Sequence, residues 1–294
     1  MQSASHTTRP LHGQDWDIRE SGPPGADPTV LLLPGGMCTA VFFEPIMDAL
    51  ADAPVRVVAA TLPGFGRTPY PADLSMENYA TLACQLAGEV GADIVGGHSL
   101  GGNVALEMAA SGGFAGPLLL LSATFSREDE ARELGVLDRV GRVPGVGQLA
   151  WLAMLKAMPK AMGKRFPAER REALVADMAN NDPRFCRRLV RGYYQYLDAH
   201  GSLVPRLCQS GVKSYVVFGD NDEIGLTDEE RSGLEACADV RLVTVADATH
   251  GLIIEQPARI AELILELVSL SRKQGSEADD GTRTHDLLHG KQTL

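Results

Sequence analysis

The feature that most constrains this chain is a Gly-x-Ser-x-Gly motif between an apolar run and a helix-forming run. The motif covers residues 97–101 and has Ser99 at its centre. The short run before it, residues 92–95, is largely apolar, and residues 103–110 are good helix formers. Ser99 is therefore predicted to lie where a strand turns sharply into a helix, a turn that needs residues without side chains beside it. There the N–H groups at the start of the helix can stabilise negative charge near the hydroxyl.

Further apolar runs alternate with helical patterns along the chain. The predicted strands cover residues 16–19, 29–33, 55–60, 117–122, 214–218 and 240–245. The predicted helices cover residues 75–90, 228–236 and 257–271. Most of the strands are continuous apolar runs, which is typical of strands buried on both faces of a parallel sheet. The pattern predicts an α/β fold with a mostly parallel central sheet flanked by helices.

The alternation stops between residues 124 and 206, where Arg, Met and Ala are frequent and several helices are predicted. This stretch holds 15 basic and 10 acidic residues, whereas the remainder holds 12 basic and 28 acidic residues. We therefore predict a core over residues 15–123 and 207–271, interrupted by a helical insertion at 124–206. Residues 1–14 are predicted to be an unstructured lead. The polar, aperiodic residues 272–294 are predicted to be a disordered tail.

Composition narrows the classes of function. The net charge of −11 argues against a nucleic-acid partner. No apolar run approaches the length of a membrane span, so no membrane partner is expected. The N-terminus has no apolar signal region, and the five cysteines are odd in number and scattered. These features favour a reducing compartment, and we expect a cytoplasmic protein without a metal site.

A serine hydroxyl is a weak nucleophile and needs a base that is itself oriented by an acid. Among the seven histidines, His250 alone lies in a loop after a late strand, where it can meet Ser99 at the carboxyl edge of the sheet. His98 adjoins Ser99, but on a strained turn its side chain is expected to point away from the hydroxyl. The acid is expected after the strand that ends at Phe218. Its candidates are Asp220, Asp222 and Glu223.

Five motifs in this order resemble those of the α/β-hydrolase fold superfamily, in its branch with a helical lid. Besides the motif at Ser99, they are Leu-Leu-Leu-Pro-Gly-Gly at 31–36, Leu-Pro-Gly-Phe-Gly-Arg-Thr at 62–68, Gly-Asp-Asn-Asp at 219–222 and a His-containing loop with Glu-x-Pro at 250–257. The resemblance covers residues 28–271. Pro34 departs from the family pattern, which usually has a histidine there.

The resemblance implies a role for each motif. Ser99 is identified as the nucleophile, His250 as the base and Asp222 as the acid. It also implies an oxyanion hole made by the backbone N–H of Leu100 and one more donor. That second donor is Gly36 or Met37, and we favour Gly36 because a glycine permits close backbone approach. No metal or organic cofactor is required.

The helical insertion has its own apolar stripe. Trp151, Met154, Leu155 and Met158 follow the spacing i, i+3, i+4 and i+7. An insertion between the strands at 117–122 and 214–218 emerges at the carboxyl edge, so we expect it to cover Ser99 as a lid. The stripe either packs against the core or, through Trp151, Met154 and Met158, lines an acyl pocket.

Together these features predict a serine hydrolase that cleaves a small carboxylic ester, lactone or related acyl substrate through an acyl-enzyme. A carbon–carbon bond hydrolase, a thioesterase and a cofactor-free haloperoxidase-like enzyme stay open as alternatives. A non-catalytic ligand-binding protein on the same fold is the alternative from another class. Since the expected nucleophile is serine, dehalogenase and epoxide-hydrolase chemistry, which use an aspartate in this superfamily, are disfavoured.

Overall fold

The computed structural model describes residues 4–272, apart from residues 12, 24, 67, 130, 131 and 144 and the side chains of residues 132–134. The strands in this part are β1 (Ser5–Leu11), β2 (Gln14–Ser21), β3 (Thr29–Leu33), β4 (Arg56–Ala60), β5 (Ile94–His98), β6 (Leu118–Leu121), β7 (Ser214–Gly219) and β8 (Val240–Val245). They form one sheet in the order β1-β2-β4-β3-β5-β6-β7-β8. β2 pairs antiparallel with β1 and β4, and the neighbours from β4 to β8 are parallel. The predicted fold class, a mostly parallel sheet flanked by helices, is confirmed.

Helices cover both faces of this sheet. They are α1 (Glu44–Ala49), α2 (Met76–Val90), α3 (Leu100–Ala110), α4 (Arg132–Gly141), α5 (Val146–Met162), α6 (Arg171–Ala179), α7 (Pro183–His200), α8 (Val204–Ser210), α9 (Asp228–Glu235), α10 (Leu252–Glu255) and α11, residues 257–272. Short 3₁₀ helices cover Ala40–Phe43 and Gly163–Arg165. Within the described part, none of the helices has the length and apolar character needed to cross a membrane.

Two buried apolar clusters join the helices to the sheet, one on each face. Alternate residues of β3 point to opposite faces, as expected for a strand. Leu31 and Leu33 belong to the cluster that contains residues of α2 and α3. Val30 and Leu32 belong to the cluster that contains residues of α1 and α11. The central strands are therefore buried on both sides, which explains their continuous apolar sequences.

The prediction of an unstructured lead at residues 1–14 is wrong for the segment that forms β1. Residues 5–11 pair with β2 along their whole length, from Ser5 opposite Glu20 to Leu11 opposite Gln14. β1 is an edge strand with mostly exposed side chains, so its sequence lacks the apolar alternation that marks a half-buried strand. Polar contacts across the pair take the place of burial, including His6 with Asp17 at 2.5 Å.

The helical insertion predicted at residues 124–206 contains α4 to α7, and α8 crosses its predicted end. Buried polar contacts tie it to α3, the helix that begins after Ser99. The Glu107 carboxylate accepts hydrogen bonds from Tyr196 Oη at 2.7 Å and from Arg206 Nη2 at 2.6 Å. The tail predicted at residues 272–294 lies outside the described residues beyond residue 272, as do residues 1–3 and 12 of the predicted lead.

Cys208 in α8 and Cys237 after α9 form a disulfide bond, with their Cα atoms 5.6 Å apart. Their separation of 29 residues gave no sign of a pair, because the packing of α8 against α9 brings them together. Cys38, Cys84 and Cys186 are free. Because disulfides persist mainly in oxidising surroundings, this pair removes the cysteine argument for a reducing compartment.

Candidate active site

Ser99 lies on a strained turn between β5 and α3. Its backbone has φ 50° and ψ −121°, a conformation that residues with a side chain rarely adopt. The flanking glycines are sterically required, because a Cβ on Gly97 would lie 2.1 Å from the Gly101 carbonyl oxygen and one on Gly101 would lie 2.1 Å from the Leu33 carbonyl oxygen. The Ser99 N–H donates to the Leu121 carbonyl at 2.8 Å, which fixes the turn at the carboxyl edge of the sheet.

Asp222 and His250 meet at this edge. His250 Nδ1 lies 3.2 Å from Asp222 Oδ1, and the Asp222 side chain is only 2% exposed. Two more donors hold the carboxylate: the Ser122 hydroxyl at 2.5 Å and the Ile224 N–H at 2.9 Å. Burial raises the pKa of Asp222, but the hydrogen bonds from His250, Ser122 and Ile224 outweigh it and hold that pKa below its usual value. An ionised Asp222 accepts from Nδ1–H and leaves Nε2 of His250 free to take a proton.

The two other acids named from the sequence have different partners. Asp220 is exposed and accepts hydrogen bonds from the Ala248 N–H at 3.1 Å and from Asn221 Nδ2 at 2.7 Å. Glu223 forms an ion pair with Arg165 at 2.7 Å. Glu223 also accepts from the His250 backbone N–H at 3.5 Å, but among the described residues only Asp222 of the three acids hydrogen-bonds to the His250 ring.

The loop after β3 approaches Ser99 closely at Gly35. A Cβ there would lie 2.9 Å from His98 Nδ1 and 3.2 Å from the Ser99 Cβ, whereas a Cβ on Gly36 would meet only Leu100 Cδ2 at 3.8 Å. The close approach expected at Gly36 is therefore made by Gly35. This close packing brings the backbone after β3 beside the start of α3.

Several backbone N–H groups beside Ser99 have no hydrogen-bond acceptor among the described residues. In residues 35–40, which we call the oxyanion loop, the Cys38 N–H donates to the Gly35 carbonyl at 3.2 Å and the Ala40 N–H donates to Thr61 Oγ1 at 2.9 Å. Within the part of the chain that the structure describes, the N–H groups of Gly36, Met37 and Leu100 have no acceptor. These are the three donors named from the sequence.

A cavity of about 670 Å³ opens at this site. Ser99, His250, Gly36, Met37 and Leu100 line it. Side chains of the insertion form its opposite wall, and most of them are apolar. They include Trp151, Met158, Met162, Phe166, Met178 and Leu189.

Met154, predicted to bind substrate with Trp151 and Met158, is not among the residues that line this cavity. It packs instead against the apolar cluster that contains α2 and α3. At about 100° per helical residue, Met154 lies about 60° to one side of Trp151, whereas Met158 lies about 20° from it. The apolar stripe of α5 is wider than the part of it that lines the cavity, so the prediction that Met154 binds substrate is wrong.

A sequence model of the alpha/beta hydrolase family matches residues 30–263. The chain belongs to this family. The match begins in β3 and ends in α11, so it includes the strands that carry Ser99, Asp222 and His250. No curated protein matches the chain significantly.

Solved structures of this alpha/beta hydrolase fold resemble the chain along most of its length. An esterase from Exiguobacterium antarcticum has a TM-score of 0.73 at 16% identity, over 90% of this chain and 100% of its own. The enol-lactonase from Burkholderia xenovorans LB400 has a TM-score of 0.68 at 20% identity, over 90% and 100%. The haloalkane dehalogenase DbeA from Bradyrhizobium elkani USDA94 has a TM-score of 0.73 at 18% identity, over 92% and 99%. Similarity at these identities shows the fold and not the reaction.

Sequence reasoning missed Ser122 and the supporting role of His98 in this alpha/beta hydrolase site. Ser122, directly after β6, donates to Asp222, and His98 Nε2–H donates to the His250 carbonyl at 2.8 Å. Burial, and secondarily the neighbouring His250, lower the pKa of His98 to about 3, so this ring is neutral. The only signal for either residue was its place at the carboxyl end of a strand beside the site.

No group of three or more His, Cys, Asp or Glu side chains that could hold a metal ion occurs among the described residues.

Proposed function

We propose that this alpha/beta hydrolase cleaves small carboxylic esters or lactones by acyl transfer. Ser99 is the nucleophile, His250 the general base and Asp222 the acid that orients the base. The observation that carries the proposal is the 3.2 Å contact of His250 Nδ1 with Asp222, in a site where His250 and Ser99 line one cavity. A serine on a strained turn beside an oriented histidine is the arrangement that nucleophilic catalysis by a hydroxyl requires.

The reaction has two halves, and His250 moves the proton in both. Ser99 Oγ attacks the carbonyl carbon while His250 Nε2 takes the hydroxyl proton, and Asp222 stabilises the resulting imidazolium. The bond to the leaving oxygen then breaks and His250 returns the proton to that oxygen. Water attacks the acyl-enzyme by the same route, which releases the carboxylic acid and regenerates Ser99.

Negative charge develops on the substrate carbonyl oxygen in both halves. We assign its stabilisation to the Leu100 N–H together with the Gly36 N–H, with the Met37 N–H as the neighbouring donor of the same loop. Among the described residues these N–H groups have no acceptor, which supports this role, because a preorganised donor is available when the oxyanion forms.

The insertion at residues 124–206 is the proposed lid of this site. Trp151 and Met158 on α5 line the cavity opposite the residues near Ser99, and both are apolar. A wall of this kind favours an apolar acyl group over a charged one. The esterase and enol-lactonase of the same fold support an ester or lactone as the scissile group.

The test is hydrolysis of a panel of nitrophenyl esters, lactones and acyl thioesters by the wild-type protein and by Ser99→Ala and His250→Ala. We expect turnover of esters or lactones by the wild type and a loss of at least about 10³-fold in both variants, with melting temperatures close to wild type. Undiminished turnover in Ser99→Ala would overturn the assignment.

The panel also separates the alternatives. Turnover restricted to thioesters would make the protein a thioesterase. No turnover of any member, together with saturable binding of one, would favour a non-catalytic ligand-binding protein. Carbon–carbon hydrolysis and haloperoxidase activity are assayed separately with a vinylogous diketone and with peroxide plus bromide.

A further inference from the structure

Met37 holds the most unusual backbone conformation of the oxyanion loop. Its φ is 65°, in the left-handed region that a residue with a Cβ seldom occupies. Such a conformation persists only when the surroundings hold it, and it commonly marks a working part of a site. Its side chain packs against the apolar cluster that contains α2 and α3, and the hydrogen bond to its carbonyl comes from the insertion.

Asn181, in the turn after α6, makes the contact with Met37. Its Nδ2 donates to the Met37 carbonyl at 3.0 Å and to the Met178 carbonyl at 2.9 Å. Its Oδ1 accepts from the Gly66 N–H at 3.3 Å. One side chain thus joins the oxyanion loop, the insertion and the loop after β4.

Asp177, one helical turn before Asn181, makes a second contact between the insertion and the oxyanion loop, at Thr39. The Thr39 N–H donates to Asp177 Oδ2 at 3.2 Å, and the Thr39 hydroxyl donates to Oδ1 at 3.0 Å. Gly66 packs closely against Thr39, because a Cβ added to Gly66 would lie 2.4 Å from Thr39 Cγ2. Thr39 is therefore held between the loop after β4 and α6.

We propose that Asp177 and Asn181 are positioning residues that hold the oxyanion loop in its catalytic conformation. This inference rests on the proposed function. The two side chains hold the peptides on the carboxyl side of Met37, and through the left-handed Met37 backbone they restrict the Gly36 and Met37 N–H groups that precede it. In the part of the chain that the structure describes, the Gly36 and Met37 N–H groups have no acceptor and stay available to the substrate. Met178, between the two positioning residues, lines the cavity, so the segment that shapes the acyl pocket also sets the oxyanion hole.

The test compares Asn181→Ala with Asn180→Ala, a matched control at the exposed neighbouring position. We expect Asn181→Ala to lower kcat by about tenfold or more with KM changed by less than about threefold, because the loss is confined to the transition state. Asn180→Ala is expected to match the wild type. An alkylboronic acid, which forms an anionic tetrahedral adduct on the serine as His250 takes its proton, should bind more weakly to Asn181→Ala by a similar factor.

A double-mutant cycle separates positioning from simple packing. Glycine adopts a left-handed φ without steric cost, so the kcat loss from Asn181→Ala should be several-fold smaller when Met37→Gly is also present. Equal losses in both backgrounds would overturn the inference, as would equal kcat for Asn181→Ala and Asn180→Ala. If Asn181→Ala does not fold, Asp177→Ala takes its place, with the same kcat loss at unchanged KM expected. A wild type that hydrolyses no substrate would remove the proposed function itself, whereas an active wild type with an unaffected Asn181→Ala would remove only this inference.

Discussion

At the scale of single residues, the carboxylate of Asp222 is the best-defined group of the site. Its contact with His250 holds Nδ1–H, whereas an amide in that place can donate as well as accept. We expect Asp222→Asn to lower kcat by about 10⁴-fold, because the imidazole is no longer held in the tautomer that takes the serine proton. Asp220→Asn is the matched control two residues away, and its exposed side chain predicts a change within about twofold. Equal losses would mean that the acid lies elsewhere.

Asp177 gives a prediction for pH. Burial raises its pKa to about 6, against the hydrogen bonds from Thr39 that lower it. The folded protein therefore holds this proton more tightly than the unfolded chain does. The stability it contributes is complete below about pH 4 and is lost as the pH rises through about 6.

An amide at this position does not titrate. We therefore expect the melting temperature of Asp177→Asn minus that of the wild type to increase between pH 4 and pH 7. The value of this difference at pH 4 does not affect the prediction. The check is differential scanning fluorimetry of both proteins at half-unit intervals. A difference that stays constant over this range would show that Asp177 does not carry a raised pKa.

Residue types and spacing were enough to place Ser99 and His250 in one site with an acid from the loop after β7. The resemblance to the family selected Asp222 as that acid, and the roles of all three stay a proposal. The contacts that support them could not be predicted, because each depends on the packing of distant segments. Ser122 reaches Asp222 across 100 residues, and Asn181 reaches Met37 across 144. Neither pair follows a motif that a single sequence displays.

At the scale of elements, helix α5 has residues that line the cavity and others that only pack against the core. Met158 lines the cavity and Met154 does not, although both lie on one apolar stripe. We expect Met158→Ala to move the preferred ester towards longer acyl chains by about two carbons, because the cavity gains room. The matched variant Met154→Ala should keep the wild-type preference and lose melting temperature instead, because it removes packing.

The measurement is kcat/KM for a series of nitrophenyl esters of rising chain length, with the melting temperature of each variant. Identical chain-length profiles for Met158→Ala and the wild type would remove Met158 from the acyl pocket. A shift caused equally by Met154→Ala would contradict the assignment of the two faces of α5.

Strands and helices were predicted well where burial produces an apolar pattern in the sequence, and poorly where it does not. The central strands are buried on both faces, and their apolar runs predicted β3 with its observed bounds. The helix predicted at residues 75–90 is α2, and Ser75 caps it by accepting from the Asn78 N–H at 3.3 Å. The edge strand β1 is held by backbone pairing and exposed ion pairs, so its sequence resembled an unstructured lead.

At the scale of the whole molecule, the basic insertion meets an acidic core. Arg170 of the insertion contacts Glu44 at 2.8 Å and Asp48 at 2.5 Å, and Arg165 contacts Glu223 beside the site. Each exposed pair contributes little to stability. These pairs follow the charge difference seen in the sequence, and the pair of Arg165 with Glu223 lies in the wall of the cavity that Ser99 lines.

We propose that Ser99 is an activated nucleophile in the cavity between core and insertion. The most direct test of this proposal is reaction of the wild-type protein with a fluorophosphonate, followed by intact-mass measurement and peptide mapping. We expect one adduct per chain on Ser99, none on Ser99→Ala, and slow labelling of His250→Ala. An unlabelled wild type, or a wild-type adduct on any residue other than Ser99, would contradict the proposal.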